Sequence, residues 1–306
     1  MGAPMAHNLY QAGYLAAAWN RSRQRLDAFV QEHPLAAADS PAAVAQRARV
    51  LFTCVSADAD LLDVVEQLLP GLQDGAVLID CSTVSRAAAV AAADKVAAHG
   101  AGFLDAPVSG GVEGARQGSL AMMVGGDTQV LEQVRPALEV LAARVTHMGP
   151  VGSGQATKAV NQIMAAGINQ AVTEALAFAE AQGLPMERVI EVVGSGAAGN
   201  WFLDHRGASM VERRFAPGFK VALHYKDLQI CQRMAQEFGV ALPVVEMTMI
   251  HYRRLMEAGS GIGGGGSMRF YLDSQQTKEI LNLRFRKNAS KIESVELRFC
   301  SMSRST

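Results

Sequence analysis

Two short segments carry side chains that could act together on a small anion. The first, Asp105-Ala-Pro-Val-Ser-Gly-Gly111, offers the Ser109 hydroxyl and the amides of a flexible backbone at Gly110 and Gly111, groups that suit a carboxylate. The second, Gly152-Ser-Gly-Gln-Ala-Thr-Lys-Ala-Val-Asn-Gln162, places Lys158 47 residues after Gly111. Lys158, Asn161 and Gln162 fall at i, i+3 and i+4 of a helix, so they share one face. That face is otherwise apolar, with Val151, Ala159 and Ile163 around it. Burying an amine there costs desolvation unless something negative or reactive lies near, and no acid stands close to it in the sequence. A lone lysine would ordinarily reach out to solvent; the two carboxamides weaken that reading. An amine opposite a held carboxylate is what reversible hydride transfer on a small hydroxy acid requires, given a dinucleotide alongside. Partial burial would bring its pKa down towards the working pH, where a general acid and base is most effective.

Three further groups of polar residues stand at the ends of apolar runs. Trp19-Asn-Arg-Ser22 follows the first such run, where an acidic residue would accept the ribose hydroxyls of NAD; Arg21 offers a guanidinium for a 2′-phosphate instead. Taken by position alone, an exposed arginine is a solvated charge. Asp80-Cys-Ser-Thr83 ends another run, and Ser82 or Thr83 could equally cap the helix that starts near Arg86. Lys226-Asp227 reads on its own as a solvated charge pair at a helix start. Phe219, Trp201 and Phe202 are candidates for core before they are candidates for a pocket.

These residues need a scaffold, and the pattern supplies one. Strands are expected at Tyr14–Trp19, Val50–Val55, Ala76–Cys81, Gly102–Pro107, Leu120–Val124 and Val145–Met148, with alanine-rich helices between them at Pro41–Arg47, Ala59–Leu69 and Arg86–Ala98. Strand and helix in alternation specify an α/β fold with a doubly wound parallel sheet over residues 1–150. From Gly154 to about Gln182 there is no proline and one glycine, so a single long helix is expected, apolar on most faces and therefore buried. It opens an all-helical domain over 151–259, with further helices near Met186–Gly194, Lys226–Phe238 and Pro243–Glu257. After Gly259 the composition shifts: Gly259-Ser-Gly-Ile-Gly-Gly-Gly-Gly-Ser267 is a flexible linker, and 260–306 reads as a tail foreign to the rest.

Composition narrows the function classes. A net charge of −1 lacks the basic excess of a nucleic-acid binder. Cys54, Cys81, Cys231 and Cys300 show no zinc or disulfide spacing, and the first two sit in apolar runs as reduced, buried thiols. No metal site is expected. No secretory segment and no membrane-spanning run is visible, so the cytoplasm is the expected location.

The opening Met1-Gly-Ala-Pro-Met-Ala-His-Asn-Leu9, followed by Gly13, resembles the second half of the glycine fingerprint of the β-hydroxyacid dehydrogenase family, with Gly2 as its third glycine. A single glycine beside a proline would otherwise be helix punctuation. The segments around Ser109, Lys158 and Lys226 resemble the same family, which includes 3-hydroxyisobutyrate dehydrogenase and tartronate semialdehyde reductase. The resemblance runs from about Gly2 to about Gly259. It implies a Rossmann-type domain, here without its first strand, and then a helical domain that makes dimers or tetramers. It implies Lys158 as the catalytic residue. Ser109, Gly110, Gly111, Asn161 and Gln162 would bind substrate, and Gly2, Met5, Asn20, Arg21, Ser22, Thr83 and Lys226 cofactor. Asn-Arg-Ser at 20–22 implies NADP(H) over NAD(H), and Asn161-Gln162 leans towards the tartronate semialdehyde branch. The 6-phosphogluconate relatives need a longer helical domain, and imine reductases usually lack the lysine. The missing strand motivates the rival expectation of a non-catalytic or unstable fragment that at most oligomerises.

Overall fold

A computed structural model describes residues 1–212, 214 and 220–257 of the chain. Phe219 and residues 258–306, the tail included, lie outside the described residues. In chain order the elements are α1 (Gly2–Gln11), β1 (Ala17–Ala18), α2 (Arg23–Glu32), β2 (Ala36–Ala37), α3 (Pro41–Ala45), β3 (Val50–Thr53), α4 (Asp58–Leu68), β4 (Val77–Asp80) and α5 (Arg86–Ala97). Then come β5 (Gly102–Asp105), β6 (Val108–Ser109), α6 (Gly111–Gln117), β7 (Leu120–Gly125), α7 (Thr128–Glu139) and β8 (Ala142–Gly149). Helices follow: α8 (Ser153–Ala181), α9 (Met186–Gly194), α10 (Trp201–Val211), α11 (Val221–Glu237) and α12 (Pro243–Glu257). Two compact units result, one holding residues 1–170 and 220–257, the other residues 171–212 and 214.

The main sheet of the first unit has the order β3-β4-β5-β7-β6, with β8 also paired to β7. Strands β3, β4 and β5 run parallel, as the alternating pattern predicts. The sheet is mixed, however, because β7 lies antiparallel to β5 and β6; the β6–α6 excursion reverses the chain before β7. Among the described residues, strands β1 and β2 pair only with each other, in parallel, and share no ladder with the main sheet.

Strand β4 is Val-Leu-Ile-Asp and wholly buried, the continuous apolar run of a strand covered on both faces. Its alternate side chains feed two cores. Val77 and Ile79 join Met5, Leu9, Leu104, Leu120, Leu131 and Leu138 on one side. Leu78 joins Leu51, Leu61, Val65, Ala89, Ala92 and Phe103 on the other. Alanine suits α5, where Ala88, Ala89 and Ala92 let the helix lie close, and Ser85 caps it by accepting from the Ala88 N–H at 3.1 Å. Asp127 caps α7 in the same way.

Helix α8 begins where β5 ends. Asp105 accepts from the Gly152 N–H at 2.7 Å and the Gln155 N–H at 2.8 Å, so a strand-end carboxylate satisfies the opening turn of the helix. The approach is close enough that a Cβ on Gly154 would stand 2.4 Å from the Met123 carbonyl oxygen. All-round burial of α8 was expected and is not found within one chain: Val160, Met164 and Phe178 are each more than half exposed. Helices α11 and α12 pack on each other in the first unit. In the second, α9 packs on α10, with Ile190 against Gly207. Among the described residues no helix is long and apolar enough to cross a membrane.

Candidate active site

Lys158 is buried on α8, 7% exposed, and its Nζ donates to the carbonyl of Val108 at 2.9 Å, one residue before Ser109. Burial lowers the amine from 10.5 to about 8; Asp227 opposes the shift and Lys226 adds to it. The expectation that no acid stands near the amine is thus corrected. Asp227 is 3% exposed, and α11 starts at Val221, so residues 226–227 fall in its second turn and not at a solvated helix start.

A chain of hydrogen bonds passes beside the amine. The Ser109 hydroxyl donates to Asn161 Oδ1 at 3.2 Å, Asn161 Nδ2 donates to Gln162 Oε1 at 2.8 Å, and Gln162 Nε2 donates to Asp227 Oδ2 at 2.6 Å. Lys226 pairs with Asp227 at 2.7 Å and donates to the Thr83 carbonyl at 2.6 Å. The structure therefore brings Ser109, Lys158, Asn161, Gln162, Lys226 and Thr83 into one connected cluster. Gly110 and Gly111 adjoin it with φ of 129° and 66°, conformations that a side chain would strain, and a Cβ on Gly111 would meet open space.

Two buried acids that the sequence did not single out anchor the segments that carry the cluster. Asp80 is fully buried; its Oδ1 accepts from the Thr53 hydroxyl at 2.8 Å and the Ser82 hydroxyl at 2.6 Å, while Oδ2 has no partner among the described residues. Burial pushes Asp80 up to about 6 against the pull of those hydroxyls. Burial raises Asp105 too, opposed by the backbone N–H groups it accepts from. Ser82 also accepts from the Val55 N–H at 2.8 Å. The helix cap left open between Ser82 and Thr83 falls to neither, since Ser85 takes it.

The residues expected at the dinucleotide are spread along 1–22. Gly2 opens α1, whose first amides no side chain caps. Met5 is 3% exposed with its side chain in the core, so only its backbone is on offer. Asn8 ties α1 to α6 by donating to the Ala115 carbonyl at 2.8 Å. Asn20 donates to the Ser22 carbonyl at 2.9 Å, and the exposed Arg21 guanidinium pairs with Asp60 at 2.9 Å. Cys54, expected to be buried, is exposed beyond the end of β3 beside Gly2; Cys81 is buried as expected. In the second unit Trp201 is 54% exposed and stacks on His205, so it is not core.

A doubly wound sheet with an uncapped helix at its start, and a buried lysine among carboxamides at its carboxyl edge, suit an NAD(P)-dependent oxidoreductase, the class that the following similarities show. Residues 1–149 match the family model described as the NAD binding domain of 6-phosphogluconate dehydrogenase. Residues 152–266 match that of the NAD-binding of NADP-dependent 3-hydroxyisobutyrate dehydrogenase. An uncharacterized oxidoreductase of Shewanella frigidimarina is 38% identical over 250 residues, 81% of this chain and 86% of that protein. The 2-hydroxy-3-oxopropionate reductase of Escherichia coli is 42% identical over 169 residues, 55% of this chain and 58% of that one. The structure of Mycobacterium tuberculosis 3-hydroxyisobutyrate dehydrogenase with L-serine superposes with a TM-score of 0.78 at 30% identity, covering 88% of this chain and 93% of that one. The chain belongs to the β-hydroxyacid dehydrogenase family.

Proposed function

We propose that the chain transfers hydride between NADP(H) and a short 3-hydroxy or 3-oxo carboxylic acid of the 3-hydroxyisobutyrate or 2-hydroxy-3-oxopropionate type, with Lys158 as general acid and base. The observation that carries the reading is a buried amine lowered to about 8, hydrogen-bonded one residue from Ser109 and the two glycines. The substrate carboxylate rests on the Ser109 hydroxyl and the amides of Gly110 and Gly111. Lys158 gives its proton to the developing alkoxide in reduction and takes it back in oxidation, help worth about 10²–10⁴ in rate. Asn161 and Gln162 bind the substrate, and the carboxamide of Gln162 is held for this by Asp227.

The bound nicotinamide supplies or accepts the hydride. The residues present fit a dinucleotide: the uncapped first turn at Gly2 would suit a pyrophosphate. Asn20, the exposed Arg21 and Ser22, whose hydroxyl caps nothing, suit a 2′-phosphate, which supports NADP(H). Thr83 and Lys226 would hold the nicotinamide end, and Met5 would contribute through its backbone. The domain boundary near residue 150, with a helical domain to 259, is part of this reading. So is a cytoplasmic homodimer or homotetramer: the exposed Val160, Met164 and Phe178 on α8 support burial between copies, and the described cysteines are free thiols, as in a reducing compartment.

A panel of three- and four-carbon 3-oxo acids, offered with NADPH and with NADH, tests the proposal. Acid-dependent consumption of NADPH is expected, and consumption with none of the panel overturns it. A second reading rests on the β1–β2 pair, which stands apart from the main sheet. On that reading the chain is a non-catalytic or unstable fragment that binds NADPH weakly and at most oligomerises. Micromolar quenching of NADPH fluorescence by the 306-residue protein would exclude it.

A further inference from the structure

We infer that Gln155 is a positioning residue that locks the Thr83 loop to the catalytic helix, an inference that rests on the hydride-transfer reading above. Gln155 is 1% exposed, and both ends of its carboxamide are used. Nε2 donates to the Ser82 carbonyl at 2.9 Å, and Oε1 accepts from the Val84 N–H at 3.2 Å. One side chain thus brackets Thr83 on both sides, as a neighbouring strand would. The root of that side chain is itself fixed, because the Gln155 N–H donates to Asp105 at the end of β5.

The remaining ties on the loop come from other directions. Ser82 is anchored to Asp80 on β4 and to the Val55 N–H beyond β3, and the Thr83 carbonyl accepts from Lys226 on α11. Gln155 supplies the link between this loop and α8, and Lys158 follows it by three residues on the same helix face. The carboxamide therefore fixes the spacing between the segment expected at the nicotinamide and the amine expected at the substrate. Misplacement by about 1 Å between reacting partners costs about 10²-fold in rate, so the spacing matters more to turnover than to fold.

Two variants test this. Gln155→Met keeps length and apolar bulk but makes neither hydrogen bond. Amide exchange at Val84 in the free protein should speed up about tenfold or more relative to α8 amides. Single-turnover oxidation of NADPH should slow by about 10–100-fold at a temperature where the variant is folded, with KM for the acid little changed. Gln155→Glu is a pH-readable partner: as a neutral acid it donates to Ser82 and accepts from Val84, and as a carboxylate it repels the Ser82 carbonyl. Its deficit should shrink as pH falls from about 9 to about 6, since burial raises a glutamate into that range. Full single-turnover rate in folded Gln155→Met, or a pH-independent deficit in Gln155→Glu, overturns the inference. Unchanged Val84 exchange in Gln155→Met overturns it as well. If the wild-type chain consumes NADPH with no 3-oxo acid, the functional reading fails instead, and Val84 exchange still decides whether Gln155 holds the loop.

Discussion

Replacing Asp227 with Asn removes a negative charge from beside Lys158 and keeps the side chain's shape. Burial has already lowered the amine from 10.5 to about 8, a difference of roughly 3 kcal/mol between its two protonation states. Asp227 works against that shift, so its loss should lower the amine further. With the amine at about 8, roughly nine-tenths carry a proton at pH 7 and about half at pH 8 in the wild type. Reduction needs the ammonium, so its kcat at pH 8 should fall in Asp227→Asn, by about fivefold for a tenfold loss of proton affinity. Oxidation needs the free amine and should gain at pH 7 by a similar factor from titration alone. Gln162 keeps an acceptor where Asn Oδ1 takes the place of Asp227 Oδ2, while the ion pair with Lys226 at 2.7 Å is lost. The assay is kcat against pH in both directions: the falling limb of reduction and the rising limb of oxidation should move together towards acid. A midpoint that stays put or moves to higher pH refutes the assignment of the titrating group to Lys158.

Three other outcomes follow from separate features. Asp80 titrates at about 6 in the folded chain against 3.8 ordinarily, so the native state holds its proton more tightly. That stabilisation is present below pH 3.8 and is lost as pH rises through 6, about 3 kcal/mol in all. Urea unfolding between these pH values should show Asp80→Asn gaining on the wild type as pH rises; a constant difference contradicts this. Gly154→Ala would put a Cβ 2.4 Å from the Met123 carbonyl and 2.5 Å from that of Asp105, and should cost about 3 kcal/mol or more in thermal unfolding. Arg21→Ala should weaken NADPH binding about tenfold and leave NADH unchanged, measured by fluorescence titration.

The parallel part of the sheet was legible because strands covered on both faces need unbroken apolar runs such as Val77-Leu-Ile, and α5 between β4 and β5 carries a clean Ser85 cap. Strands β2 and β6 span two residues each, too short for any periodicity to register, and the reversal at β7 depends on pairing that local sequence does not encode. Lys158, Asn161 and Gln162 were legible because helical spacing puts them on one face. Asp227, Gln155, Asp80 and Asp105 were not. Each acts through a partner 2 to 73 residues away, and a buried acid next to a lysine has the same local sequence as a solvated pair. The long helix misled for a related reason: Val160 and Met164 look like core, and one chain alone leaves them in solvent.

The central claim is that the Lys158 amine moves the proton while reduced nicotinamide supplies the hydride. Single-turnover oxidation of bound NADPH by a short 3-oxo acid, followed in the wild type and in Lys158→Ala, tests it most directly. The rate should fall by about 10²–10⁴ with NADPH affinity unchanged. An equal rate in the two proteins contradicts the claim.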